Sequence, residues 1–220
     1  MKKKWLVLSL TLALASLSNA LFAEGNAEDG KAKSAACVSC HGEHGNSMVA
    51  TFPKLAQQHP SYLIKQLRAY KDGTRKNAMM SGMAMSLSDA DMADIAAYYE
   101  EQKISHNSLP VLDDDEDEQQ IKPEKTIAEL IAQGADLYRN GNLTTEVSAC
   151  IACHGPNGEG NQPAAFPTLR SQHADYLIQT LTDFKSGARG NSADNMMHMI
   201  AKKMTLEEIQ AVAYYISMMK

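Results

Sequence analysis

Cys37-Val38-Ser39-Cys40-His41 and Cys150-Ile151-Ala152-Cys153-His154 are the stretches whose reading decides the fold. The chain of 220 residues has four cysteines, and all four stand in this one pattern. C-x-x-C-H is the covalent attachment signature of c-type haem. Its spacing has a chemical reason. Two thiols on one helical turn and a bend add to the two porphyrin vinyl groups, and the adjacent imidazole then lies beneath the iron. Three other uses compete: a redox disulfide, a structural disulfide pair and a zinc site. A thioredoxin-like C-x-x-C is expected near a βαβ pattern, which this sequence lacks. A zinc site would have to draw ligands from two separate duplicated segments. The motifs therefore imply two covalent haem groups, on Cys37 and Cys40 and on Cys150 and Cys153, with His41 and His154 as proximal iron ligands.

Working outward from the motifs, the two halves repeat. Phe52-Pro53-Lys54-Leu55, Gln58-His59, Tyr62-Leu63-Ile64, Leu67, Tyr70-Lys71, Gly73, Arg75 and Asn77 follow the first. Phe166-Pro167-Thr168-Leu169, Gln172-His173, Tyr176-Leu177-Ile178, Leu181, Phe184-Lys185, Gly187, Arg189 and Asn191 follow the second. Tyrosine pairs close both halves, Tyr98-Tyr99 and Tyr214-Tyr215. Composition alone does not keep a register this long, so the chain is a tandem duplication of one domain of ordinary size.

Each half reads as helical. Ser88 with Asp91, Thr126 with Glu129 and Thr205 with Glu208 are N-terminal capping pairs, each followed by apolar residues at helical spacing. Tyr62–Tyr70 and Tyr176–Phe184 form middle helices that stop near Gly73 and Gly187. Strand alternation with hairpin turns is missing. The expected fold is all-α, two small helical domains whose cores need a cofactor to fill them.

The N-terminus reads as an export signal. Lys2, Lys3 and Lys4 precede an apolar run from Trp5 to Leu17, then small residues that place cleavage after Ala20 or Ala23. Export fits the attachment of haem outside the cytoplasm. The whole chain has 21 basic and 26 acidic residues, a net of −5, which becomes −8 once the three lysines leave. That balance excludes a nucleic-acid binder. Asp113 to Glu118 is an unbroken acidic run and, with Pro123, reads as a linker. The expected boundaries are 1–23 for the signal, 24–107 for the first domain, 108–125 for the linker and 126–220 for the second domain.

The sixth ligand of each iron separates a carrier from a catalyst or gas binder. Met79, Met80, Met83 and Met85 precede the last helix of the first half, and Met196, Met197, Met199 and Met204 that of the second. Aligning the helix caps Ser88 and Thr205 pairs Met79 with Met196 and Met80 with Met197. Counting from Arg75 and Arg189 instead pairs Met83 with Met197 and Met85 with Met199. The spacing leaves both registers open. His59 and His173 repeat and read as polar groups at a helix start. His44, His106 and His198 have no counterpart in the repeat.

Two C-x-x-C-H domains in an exported chain of this length, with F-P-x-L and Q-H-x-x-Y-L in both, resemble the dihaem cytochrome c(4) family across essentially the whole mature sequence. The resemblance implies two class I cytochrome c-like domains. It includes a methionine seven residues before the L-S-D helix start, which lands on Met80, and on Met197 before Met204-Thr205-Leu206. It thus implies the axial pairs His41/Met80 and His154/Met197, with the Pro53 and Pro167 carbonyls accepting from the proximal histidines. The acidic linker is longer and more charged than the family's usual connection. The implied function is periplasmic electron transfer, with a respiratory donor and a terminal oxidase as protein partners and at most peripheral membrane association. The alternatives are a haem subunit of an enzyme, such as a sulfide-oxidising flavocytochrome, and a dihaem peroxidase or thiosulfate dehydrogenase.

Overall fold

The capping pairs do what their spacing demands. Ser88, Thr126 and Thr205 each accept from the backbone N–H three residues on, and Asp91, Glu129 and Glu208 reach back to the cap N–H. Each pair satisfies two of the donors that a helix start leaves free. The computed structural model describes residues 25–110 and 125–220. The export signal and most of the acidic linker lie outside the described residues. Ten α-helices lie among the described residues: α1 (Ala27–Lys33), α2 (Val38–His41), α3 (Pro60–Asp72), α4 (Ala78–Met85), α5 (Asp89–Glu100), α6 (Ile127–Asn140), α7 (Ile151–His154), α8 (Ala174–Ser186), α9 (Met196–Ala201) and α10 (Leu206–Met218). Only isolated bridges, Asn142 to Val147 and Asn161 to Phe166, represent β-structure among them. The middle helices α3 and α8 end at Gly73 and Gly187, both left-handed at φ 80°. None of the described helices is long and apolar enough to cross a membrane.

The helices form two tandem domains with the same plan. In each, the first helix crosses the last: α1 on α5, α6 on α10. The crossing is as close as backbone allows. A Cβ at Gly30 would collide with the Asp94 carbonyl, and one at Gly134 with the Ala211 carbonyl. These glycines also set the register between the halves, placing Ser34 opposite Tyr138 and Tyr99 opposite Ile216. The tyrosine pairs at the chain ends are therefore not equivalent. In the first domain the buried aromatic, Tyr99, comes from α5 and faces the small Ser34. In the second it is Tyr138 of α6, beside Ile216. The aromatic ring comes from opposite sides of the crossing in the two domains.

The protein core is thin around these crossings. Leu63, Ile95, Ala96, Tyr98 and Tyr99 cluster in the first domain; Leu137, Tyr138, Leu177, Ile209, Val212 and Ile216 are among those that do so in the second. Between them runs one continuous cavity of about 1400 Å³, bordered by both domains. Ordinary interiors leave no void of that size.

The glycine crossing yields a stability test. Gly30→Ala should cost roughly 1–3 kcal/mol, because its methyl must push α1 off the α5 backbone. Gly82→Ala, in α4 with open space at the Cβ position, should be neutral or gain up to about 1 kcal/mol from helix propensity. Denaturant unfolding followed by circular dichroism measures both.

Candidate haem sites

α2 and α7 are single turns, and each ends on its histidine. That turn holds Cys37 and Cys40, or Cys150 and Cys153, on the cavity wall with His41 or His154 beside them. All four cysteines are partly buried, and none is paired in a disulfide. Burial pushes the Cys37 thiol up, and the Cys150 thiol up to about 11.

The F-P motif fixes each imidazole. His41 Nδ1 lies 2.9 Å from the Pro53 carbonyl oxygen, and His154 Nδ1 3.1 Å from that of Pro167. A carbonyl only accepts, so Nδ1 carries the proton and Nε2 keeps its lone pair for a metal. Burial lowers both imidazole pKa values and outweighs the opposite pull of the proline carbonyls, which keeps the rings neutral. Phe52 and Phe166 flank the rings, with centroids 6.5 and 6.3 Å away.

Methionines line the same cavity: Met79, Met80, Met83, Met196, Met197, Met199 and Met204. Met85 does not, and is mostly exposed. The register left open by spacing is visible in the packing. Ala84 and Ala201 are both 0% exposed, at equivalent places in α4 and α9. The three extra residues of the second half form a 3-10 turn, Ala193–Asn195, before α9. Met80 therefore stands opposite Met197, and Met79 opposite Met196. Met80 and Met197 are half-buried, whereas Met79, Met83, Met196 and Met199 are exposed. Met204 takes the place of Leu87 as a core residue.

The domains meet along a seam beside the cavity, and the repeated polar residues build it. Gln58 donates to the Thr168 carbonyl and accepts its N–H; Gln172 does the same to Lys54. His59 Nε2 donates to Glu159 O at 2.7 Å and His173 Nε2 to Ser47 O at 2.9 Å. Arg75 donates to the Tyr176 hydroxyl, and Arg189 to that of Tyr62. The two-fold pattern breaks at Gln66, whose oxygen receives Arg75, Arg189 and Asn191 together, while the equivalent residue is Thr180. It breaks again at Lys54, 3% exposed, where the second domain has Thr168. Lys54 Nζ donates to Ser105 O and Asn107 Oδ1, and burial pushes its pKa down to about 8. Asn107 ties the segment after α5 to the second domain, its amide nitrogen 3.0 Å from the carbonyls of Ser171, Gln172 and Ser217. The unrepeated histidines have structural partners instead: His44 meets the Tyr98 hydroxyl, His106 meets Ser171 Oγ, and His198 donates to Phe184 O.

The donor set fits haem. Each motif offers two thiols and a neutral imidazole, and methionine thioethers line the same cavity. Buried Lys54, Arg75 and Arg189 also line the cavity with neutral hydrogen-bond partners, a positive surround suited to a group that brings propionate carboxylates.

Comparison with known proteins agrees. The cytochrome c family model matches residues 27–103 and 131–220. The chain is 42% identical to cytochrome c4 of Azotobacter vinelandii over 98% of both sequences. The chain belongs to the cytochrome c4 family. The crystal structure of reduced recombinant cytochrome c4 from Pseudomonas stutzeri superposes with a TM-score of 0.78 at 39% identity, covering 89% of this chain and all of that one. A thiosulfate dehydrogenase electron acceptor of Thiomonas intermedia is 36% identical over 84% of this chain and 79% of its own length. As a c4-type dihaem protein, the chain carries two covalently bound haem c groups on its two cysteine pairs.

Sequence reasoning found the cysteines, histidines and prolines. It treated Gln58, Gln172, Arg75, Arg189, His59 and His173 only as marks of the repeat, or as local polar groups. Their pairing across the seam spans 100 residues or more of chain, and the repeat itself was the one signal pointing to them.

Two measurements test the site. Cys37→Ala/Cys40→Ala should leave the purified protein one haem lighter in intact mass, and Cys150→Ala/Cys153→Ala should do the same. Asn107→Ala, which strands buried carbonyls at the seam, should cost about 1–3 kcal/mol in denaturant unfolding.

Proposed function

We propose that this c-type electron carrier works in the periplasm of a bacterial respiratory chain and passes electrons towards a terminal oxidase, through two irons ligated by His41/Met80 and His154/Met197. The observation that carries the ligand assignment is the shared register of α4 and α9. It sets the half-buried Met80 and Met197 at equivalent places on the wall of the cavity that the two histidine motifs also line. When bound, each haem would supply reversible one-electron chemistry, and a histidine–methionine pair would favour its reduced state.

The chain's own residues do the rest. The proline carbonyls fix each imidazole tautomer and orientation, so little need move when charge changes. The seam keeps both sites on one cavity. In this reading residues 1–23 are removed on export, 24–107 and 126–220 are the two domains, and 108–125 connects them. Redox proteins are its substrates, and such transient interfaces are small.

A second reading has one observation in its favour, the likeness to thiosulfate dehydrogenase electron acceptors. There the donor is a sulfur-oxidising enzyme and the chain its dedicated acceptor. Mixing reduced partner enzymes with the oxidised protein separates the two donors by rate.

The ligand assignment predicts a sulfur-to-iron near-infrared band from both sites in the oxidised protein. Met80→Ala and Met197→Ala should each remove about half of it and lower that site's potential. Met83→Ala and Met85→Ala should keep it. The reduced wild-type protein should not bind carbon monoxide at neutral pH. Rapid binding at one iron would speak for a catalytic site, and a band lost in Met83→Ala but kept in Met80→Ala would move the ligand.

A further inference from the structure

Each seam glutamine touches one particular peptide group of the opposite domain. The Pro53–Lys54 peptide accepts the His41 Nδ1–H at its carbonyl, at 2.9 Å, and donates its N–H to Gln172 Oε1 at 2.8 Å. The Pro167–Thr168 peptide accepts His154 Nδ1–H at 3.1 Å and donates to Gln58 Oε1 at 2.9 Å. Both glutamines are 6% exposed. Their amide orientation follows from their neighbours. Each Oε1 also receives the N–H of the next histidine at 3.1 Å, and each Nε2 donates to the far Lys54 or Thr168 carbonyl at 2.9 Å.

We infer that each domain sets the basicity of the other domain's proximal histidine through this shared peptide, Gln172 acting on His41 and Gln58 on His154. The physical basis is amide resonance. An acceptor on the peptide N–H draws the nitrogen lone pair into the C–N bond and leaves more negative charge on the carbonyl oxygen. Hydrogen bonds at the two ends of one peptide therefore strengthen each other, and burial keeps water from competing. A stronger carbonyl acceptor pulls harder on the Nδ1 proton, which makes the imidazole a better electron donor at Nε2. A better donor favours the oxidised iron. Docking of the domains thus lowers both potentials, and each glutamine is a positioning residue for the opposite haem.

The inference rests on His41 and His154 being the iron ligands. The test uses the full haem-loaded chain with Gln172→Leu and Gln58→Leu, and with Gln→Met at both positions to keep side-chain length. The Nδ1–H resonances of His41 and His154 are assigned by NMR in the reduced protein. They are then followed through a redox titration, so that each reports its own haem. Gln172 variants should move the His41 proton upfield and raise the first-domain potential, leaving His154 and the second potential in place. Gln58 variants should do the reverse. A shift confined to the variant's own domain, equal shifts in both, or no shift with the seam still docked would overturn the relay. Loss of the sulfur-to-iron band in the wild-type protein would instead strike at the ligand assignment. A variant that fails to fold leaves the other three to decide.

Discussion

The hydrogen bond from a buried histidine to a proline carbonyl is the constraint on which the rest of this structure hangs. It is made twice, His41 to Pro53 and His154 to Pro167. It requires a one-turn helix that ends on the histidine and a loop that returns the proline 12 or 13 residues later. It chooses the tautomer and leaves Nε2 its lone pair, while burial keeps the ring neutral against the bond's own upward pull. The glycine crossings of α1 with α5 and of α6 with α10 close each domain behind it. The thin cores are the counterpart of that arrangement, because haem occupies volume that side chains fill elsewhere.

Duplication gave the seam its two-fold form, and a few substitutions removed the equivalence. Lys54 stands where the other half has Thr168, and Gln66 where it has Thr180. Both changes put charge or a strong acceptor on one side only of the shared cavity. Burial holds the Lys54 pKa down, while Arg75 and Arg189 lower that of Tyr176 against the upward push of its own burial. Two sites built on the same C-x-x-C-H motif therefore sit in different fields, and axial ligands alone do not fix a haem potential.

Much of this was legible in the sequence, for particular reasons. The C-x-x-C-H motifs are chemistry fixed by local spacing, and the capping pairs at Ser88, Thr126 and Thr205 are local too. α3 and α8 run slightly longer than their apolar spacing marks, to Pro60–Asp72 and Ala174–Ser186, because extended His59 and His173 at one end and left-handed Gly73 and Gly187 at the other, rather than core contacts, bound them. α1 was not legible: AEDGKAK has no apolar face, and Gly30 holds it by close backbone approach. α4 and α9, dense in methionine, have no helical stripe to read. The seam lay beyond sequence reasoning, because half of each glutamine and histidine contact is a peptide group, and peptide groups look alike in every sequence. Tyr99 and Tyr138 show how an exchange between two positions hides in a repeat that otherwise keeps register.

The central claim is that two haems sit in this chain with both faces of each iron closed by histidine and methionine. The proton NMR spectrum of the fully reduced protein tests it most directly, since a methionine methyl bound over a haem feels the porphyrin ring current and moves far upfield. The account predicts two such three-proton resonances, one lost with Met80→Ala and the other with Met197→Ala. A single upfield methyl, or none, in the intact reduced protein would contradict it.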